Sequence, residues 1–313
     1  MENEFNKERI EKLIKEVFPD SKIDSYKKLT GGLVHLNFKV KIKNPKKEIV
    51  VRISKLKRKQ GVMKNNQAMI YLRKNNILTP EIFLEKVYYR KLITIMEFVT
   101  GKNAEDAYNE SSENEKIQIL ENCGKALSEI HGLAIPNFWK HQKHEIKDGK
   151  EWIVWTFERI EKYLKFVKAN LPQYYDFLKK ELSEFYEILK DEKSIKFVPL
   201  HWDYHLANLN VGSDSKITGI FDFDNCMKGH NLSDLGQTKY WIMFRMEGNE
   251  KLKFFLDSYS DKLSSQDLKL IHGYFLLHLL AVTRTIWRRQ PRLSWIIEDH
   301  KKILDDLMAV KFK

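Results

Sequence analysis

The chain has 313 residues, 42% hydrophobic and 31% charged with 13 Gly and 7 Pro, which excludes disordered and fibrous classes and allows one large domain or two moderate ones. Its formal charge of +12 invites a nucleic-acid reading, but the Lys and Arg are scattered; the densest run, 55–59, lacks interleaved aromatics and reads as a solvated loop or helix start. Cys123 and Cys226 stand far apart in unrelated contexts, so neither a disulfide framework nor a zinc site is expected, and a reducing, cytoplasmic setting fits.

In chain order, residues 1–18 place Phe5, Ile10, Leu13, Ile14, Val17 and Phe18 among alternating charges, the pattern of a surface helix without the apolar core of a signal peptide. Phe38, Val40 and Ile42 then alternate with polar partners, and Ile49, Val50, Val51 and Ile53 form a β-branched run beyond the Asn44-Pro45 turn signal, together a hairpin. Ala68, Met69 and Leu72 stand at helical spacing in 64–75, and Thr79-Pro80 stops that helix before strand-like runs at 82–89 and 92–99. Past Gly101 helical patterns dominate: Ser112-x-x-Glu115 is a capping box, and amphipathic stretches follow at 151–169, 172–190, 266–289 and 293–309. A polar strand-and-turn segment at 198–236 interrupts them. The greasy stretch 274–287 carries His278 and Arg284 and falls short of the roughly 18 apolar residues that span a bilayer.

The interrupting segment carries the chemistry. His201-x-Asp203 is followed by Asn208 five residues beyond the aspartate, and Asp222 and Asp224 close a strand soon after. Phosphoryl transfer asks for this set. A nucleoside triphosphate needs divalent metal on hard oxygen ligands, which Asp222 and Asn208 supply, and a hydroxyl nucleophile needs an oriented proton acceptor, which suits Asp203. His201 is the expected brace of that loop. His205 and Asp224 read either as supporting or substrate-facing groups or as ordinary loop residues.

These residues resemble the aminoglycoside phosphotransferase and choline kinase branch of the kinase-like superfamily. His201, Asp203 and Asn208 match the family's His-x-Asp-x4-Asn loop, and Asp222 matches its metal-binding Asp-Phe-x. Thr30-Gly31-Gly32 with Asn37-Phe38-Lys39-Val40 resembles the turn that covers the nucleotide, and Val50-Val51-Arg52-Ile53 the strand whose cation reaches the phosphates. The stretch 95–101 resembles the hinge, which implies that the backbone of Glu97 and Val99 holds adenine. His131 closes a Leu-x-x-Leu-His-like helix end, and Asp234 lies in a Gly-x4-Asp-Leu segment with a structural role. The run 221–236 and the helical tail are most similar to type II homoserine kinases, hydroxylysine kinase and spore-coat kinase-like proteins.

The resemblance implies an α+β, two-lobed, protein-kinase-like fold: residues 1–98 as a small antiparallel-sheet nucleotide lobe, and 99–313 as a larger, mainly helical lobe with the catalytic loop and acceptor site. It implies ATP and Mg2+ as cofactors and a small hydroxylated acceptor such as an amino alcohol, a hydroxy amino acid or an aminoglycoside-like compound. It implies no nucleic acid or membrane partner, and a monomer or homodimer. Three positions depart from the family pattern. Asn65 or Gln67 stands where a helix acid usually meets the strand cation, Trp202 where a Gly usually stands, and Asn210 where the aliphatic adenine floor is expected. The missing acid and Trp202 keep a second reading open, a catalytically impaired kinase-like binding protein; a basic nucleic-acid-binding domain is a third.

Aromatics such as Trp139, Trp152, Trp155, Phe157 and Tyr163 are expected to be mostly core, with a minority walling the acceptor pocket. Glu145, Asp148, Glu151 and Glu158 could receive a cationic acceptor or form a solvated helix face. The net positive charge leans away from a polycation and toward an acceptor bearing a carboxylate.

Overall fold

The computed structural model describes residues 7–29, 35–140, 146–190, 195–246, 249–260, 262–289 and 293–311. In chain order these form α1 (Lys7–Lys15), β1 (Lys22–Lys28), β2 (Leu36–Lys43), β3 (Lys47–Lys55), α2 (Lys59–Lys74), β4 (Ile82–Tyr88), β5 (Lys91–Glu97), β6 (Lys102–Asn103) and α3 (Ala104–Glu110). There follow α4 (Glu113–His131), α5 (Gly149–Asn170), α6 (Tyr175–Lys190), β7 (Phe197–Leu200), β8 (Leu209–Val211), β9 (Ile217–Ile220) and β10 (Met227–His230). The chain ends in α7 (Leu232–Arg245), α8 (Leu252–Tyr259), α9 (Ser265–Arg289) and α10 (Ser294–Lys311). Two compact units result: the chain through Ala107 with Ala207–Asn225, and Tyr108–Leu206 with the chain from Cys226 onward.

The first unit is built on a five-stranded antiparallel sheet in the order β1-β2-β3-β5-β4. Alternation along β2 turns Leu36, Phe38, Val40 and Ile42 inward, and Ile49, Val51 and Ile53 of β3 join them. Helix α1 supplies Ile10, Leu13 and Ile14 at positions i, i+3 and i+4, all fully buried in that cluster, so its apolar stripe is core while its other face is charged. Helix α2 begins five residues earlier than its apolar spacing suggests, because Val62 is also fully buried and holds the first turn despite Gly61. The basic run 55–59 is the exposed end of β3, a 3-10 turn at Leu56–Arg58 and the start of α2, a solvated helix start as its composition implies.

A second small sheet, β6-β8-β9, also belongs to this unit. Gly101 leads into it with φ +121, and a Cβ there would lie 2.5 Å from Thr218 Oγ1 and 2.7 Å from the Val211 carbonyl oxygen. The pairing of β6 with β8 ties Ala207–Asn225 to the N-terminal residues, so this unit takes in segments on both sides of residue 98.

The second unit is mainly helical, with the two-stranded ladder β7-β10. The capping box on α4 is formed, Glu115 Oε2 accepting the Ser112 N–H at 2.8 Å and its hydroxyl at 2.6 Å. Trp152 on α5 is fully buried and donates its indole N–H to Tyr274 on α9 at 2.7 Å. Gly229 on β10 lets that indole approach, since a Cβ would lie 2.1 Å from its ring. The greasy stretch is longer than residues 274–287 suggest. Over Ser265–Arg288, α9 is long and apolar enough by composition to cross a bilayer, but 61% of that window is buried by the protein itself, the pattern of a core helix.

Candidate active site

In the second unit the loop after β7 carries His201, Trp202 and Asp203, and a buried aspartate sets its path. Asp234, in the first turn of α7 and 0% exposed, accepts the backbone N–H of His201 at 2.8 Å and of Trp202 at 3.0 Å. Its Oδ2 lies 3.2 Å from Nε2 of His131, at the end of α4, whose Nδ1 is 2.9 Å from the Tyr259 hydroxyl. A carboxylate can satisfy several donors at once, which is what this corner requires. Beyond Asp203, the Tyr204 hydroxyl donates to the Cys123 carbonyl at 2.8 Å, and the Tyr204 carbonyl accepts from Thr238 at 2.9 Å. Asp203 is therefore presented between two fixed points.

His201 is fully buried, its ring edge-on to Tyr204 at 5.5 Å. Trp202 has φ +62, the left-handed region that favours glycine; its ring packs against Trp152 at 5.9 Å and Trp155 at 5.7 Å. The Asp203 side chain is 28% exposed, with Oδ1 3.7 Å from Nε2 of His205. Burial, then the nearby His201 and Arg245, push His205 down to about 3, so the imidazole is neutral near pH 7.

The first unit holds Asn208, Asp222 and Arg52. Asn208 ends a 3-10 turn, and its carbonyl accepts the N–H of Phe221 at 2.9 Å, which joins its backbone to the residue preceding Asp222. Asp222 has φ +65. The next amide, Phe223 N–H, donates to Oδ1 of Asn65 on α2 at 2.8 Å. Asn65 passes its own amide to Asn66 Oδ1 at 3.2 Å, and Asn66 Nδ2 donates to Glu85 Oε2 and to Thr94 Oγ1 at 3.0 Å. Thr94 and Glu85 lie in the sheet row that contains Arg52, paired Asn37–Arg52–Thr94–Glu85. Helix α2 thus meets the Asp222 segment through a neutral amide.

Arg52 donates from Nε to Asn37 Oδ1 at 3.3 Å. Burial lowers its pKa, while the Asp224 and then the Asp222 carboxylates act to raise it, so the Asp-Phe-Asp segment supplies the negative field that α2 lacks. Burial pushes the Asp224 carboxyl up, but a hydrogen bond from His35, with Arg52 and Arg58 nearby, outweighs it and holds the group below the usual carboxylate range. His35 bridges outward, its Nδ1 2.8 Å from Ser54 Oγ. Neither His35 nor Glu85 carries a local sequence signal; Asp224 lies 3.6 Å from Nε2 of His35 within this unit.

Among the remaining expected residues, Glu97 ends β5 with its side chain bound to Arg73 at 3.1 Å and its N–H to the Glu81 carbonyl at 2.8 Å. The Val99 carbonyl lies 3.5 Å from Asn210 Nδ2, so that asparagine turns toward the Val99 backbone. Gly31 and Gly32 lie outside the described residues, as does Glu145. Asp148 caps α5 by accepting Glu151 N–H at 3.0 Å, Glu151 accepts Lys147 N–H at 2.8 Å, and Glu158 is exposed, the solvated-face alternative for these acids. Asp222 and Asn208 are one carboxylate and one amide, a hard-oxygen pair that suits Mg2+ with phosphate and water oxygens completing its shell.

The antiparallel sheet with its helix and the mainly helical second unit define the two-lobed, protein-kinase-like α+β class. The GDP complex of wild-type aminoglycoside 2'-phosphotransferase-IIIa is similar to this chain at a TM-score of 0.68 and 14% identity, over 96% of this chain and 99% of that one. ADP-bound APH(2'')-Ib is similar at 0.58 and 16%, over 96% and 97%. A thermostable mutant of APH(4)-Ia, in ternary complex with ADP and hygromycin B, is similar at 0.63 and 15%, over 95% and 98%. At these identities the likeness carries the fold. No curated protein matches the chain. The model of the phosphotransferase enzyme family matches residues 25–264, and the chain belongs to that family. Its class is therefore that of the small-molecule phosphotransferases.

Proposed function

We propose that the protein transfers the γ-phosphoryl group of ATP, with Mg2+, to a hydroxyl of a small molecule such as an amino alcohol, a hydroxy amino acid or an aminoglycoside-like compound. The observation that carries this reading is the hydrogen bond from Phe221 N–H to the Asn208 carbonyl, which sets the two oxygen-bearing metal candidates on adjoining backbone. In the transfer, the hydroxyl oxygen bonds to the γ-phosphorus, the bond from that phosphorus to the β,γ-bridging oxygen breaks, ADP leaves, and the hydroxyl proton passes to the Asp203 carboxylate. Mg2+ supplies charge neutralisation on the phosphates when bound. Asp222 and Asn208 hold it, Arg52 reaches the phosphates, Gly31 and Gly32 cover them, and the backbone of Glu97 and Val99 takes adenine. His201 braces the loop, consistent with its full burial and the Asp234 contact at its N–H.

Asp203→Ala tests this reading. Acceptor-dependent ADP release should fall by about two to four orders of magnitude with melting behaviour retained. Asp222→Ala should abolish the metal-dependent thermal shift with ATP. Retained turnover in the first variant would overturn the assignment of Asp203. The neutral Asn65 on α2 favours one alternative, a nucleotide-binding relative with impaired turnover; wild-type protein that shows the ATP shift but no ADP release with any acceptor would select it.

A further inference from the structure

The surroundings of Asp203 within the second unit are cationic and aromatic. On one side Trp202 packs against Trp155, and the guanidinium of Arg159 on α5 lies over three rings: Trp155 at 4.7 Å, Trp202 at 5.5 Å and Tyr163 at 5.8 Å. Arg159 makes no hydrogen bond or ion pair among the described residues; its recorded contacts are with ring faces. On the other side His205, 3.7 Å from Asp203, packs at a tilt against Trp241 with ring centroids 4.5 Å apart, and Arg245 sits over Trp241 at 5.2 Å. One aromatic residue therefore stands between the Asp203 neighbourhood and a guanidinium in each direction.

Stacking uses the face of a guanidinium and leaves its in-plane N–H fork available, the geometry that grips a carboxylate or phosphate in two parallel hydrogen bonds. A half-buried arginine held only by ring faces keeps a charge that an incoming anion would balance. Two further polar atoms point to the same chemistry. Trp241 Nε1 and His278 Nε2 are buried with no hydrogen-bond partner among the described residues, and an indole N–H can be satisfied only by an acceptor. His278 stands 6.2 Å from Trp241 by ring centroids. Burial, then Arg159, His205 and His300, push it down to about 3, and no carboxylate figures among these influences.

We infer that the acceptor alcohol carries an anionic group, a carboxylate or a phosphate, which Arg159 on its Trp155–Trp202 platform receives while the hydroxyl faces Asp203, with Arg245 on Trp241 adding to the positive field. This rests on the phosphotransfer reading and narrows its substrate class. Of the acids that could have received a cationic acceptor, Asp148 and Glu151 cap the start of α5, while Glu158 lies on an exposed face.

The test is an ADP-release assay with Mg2+ and ATP on hydroxy acids, hydroxy amino acids and alcohol phosphates, each paired with the diol and amino alcohol of the same chain length, with kanamycin alongside. The anionic member of at least one set should exceed its partners by about tenfold or more in kcat/KM, the worth of one charge-assisted fork. In Arg159→Gln that preference should collapse through a rise of about tenfold in acceptor KM, with KM for MgATP within about twofold. Arg159→Lys keeps the charge and loses the fork, so it should recover part of the preference; a merely structural arginine would show no such recovery. If Arg159→Gln does not fold, the Lys variant and Arg245→Gln carry the comparison, each expected to raise acceptor KM. A lead for amino alcohols or kanamycin, turnover of no anionic member, or an effect on MgATP KM instead would overturn the inference while leaving phosphotransfer standing. Absence of both turnover and a magnesium-dependent thermal shift with ATP would sink the phosphotransfer reading, and this inference with it.

Discussion

The segments bearing Asp203 and Asp222 are anchored by different chemistry. The Asp203 loop hangs from a buried carboxylate, Asp234, which takes two backbone amides and faces His131; the Asp222 segment hangs from a buried carboxamide, Asn65, which takes one. A carboxylate gathers several donors and strengthens each bond, so it makes a rigid anchor, but its removal strands every donor at once. A carboxamide gives a single neutral bond and must dispose of its own N–H groups, which Asn65 does through Asn66. The contrast implies that one loop is fixed almost absolutely and that the other is held by a contact of ordinary strength.

Breaking the stronger anchor should have the largest effect. Asp234→Ala leaves the His201 and Trp202 amides and His131 without their acceptor in a site with no exposure, and should cost about 3–5 kcal/mol in urea denaturation. Asp234→Asn keeps the volume but turns one donor toward a donor, and should fall between wild type and Ala. A loss below about 1 kcal/mol for the Ala variant would show that the loop finds its path without the carboxylate.

Acid should weigh on the same unit. His230 and His300 are 3% and 1% exposed, and burial pushes each from the ordinary 6.5 down to about 4. The sign follows from proton uptake: between those values the unfolded chain binds protons that the folded one refuses, so stability is complete above 6.5 and is lost as pH falls toward 4. Near pH 5 each group should cost about 2 kcal/mol. The bonds around buried His300 suit the neutral ring: Thr283 commits its hydroxyl hydrogen to the Leu279 carbonyl at 2.7 Å, so Nδ1 donates to Thr283 at 2.6 Å and Nε2 accepts from Tyr240 at 2.8 Å. A proton on Nε2 would oblige Tyr240 to turn its hydroxyl hydrogen away and accept instead. His300→Gln should flatten the decline in urea midpoint between pH 7 and 5, and an unchanged slope would remove His300 from the account.

The weaker anchor should show a smaller effect with a functional signature. Asn65→Ala strands the Phe223 N–H and should cost about 1–3 kcal/mol. Because the stranded amide adjoins Asp222, the metal-dependent thermal shift with ATP should shrink by more than the metal-free shift; equal losses would mark Asn65 as purely structural.

The two anchors were unequally legible in the sequence. Asp203, Asn208 and Asp222 stand out because the chemistry fixes residue type and spacing within a short segment, and Asp234 stands in a run with its own pattern. The bond from Phe223 to Asn65 joins positions 158 apart, and nothing local marks Asn65 as an acceptor beyond the acid it replaces. Helix α7 was hidden for a related reason. It buries Ser233, Asp234, Gly236, Gln237 and Thr238 along with Leu232 and Leu235, so its first turns lack the apolar stripe that reveals a helix. Strands β2 and β3 were easy, since one buried face writes its alternation directly into the chain.

The smallest predicted effect separates backbone from side chain in the Asp203 loop. Trp202 occupies a left-handed position, which costs a residue with a Cβ about 1–2 kcal/mol, while its ring recovers contacts with Trp152, Trp155 and Arg159. Removing the ring with Trp202→Ala forfeits those contacts and keeps the strain. Trp202→Gly forfeits the same contacts but releases the strain, at the expense of about 0.5–1 kcal/mol of added freedom in the unfolded chain. At an ordinary position Gly is less stable than Ala; here it should be more stable by several tenths to about 1 kcal/mol in paired urea melts. The reverse order would mean that the Asp234 bonds to the His201 and Trp202 amides do not force the left-handed turn, and that the loop relaxes once the indole is gone.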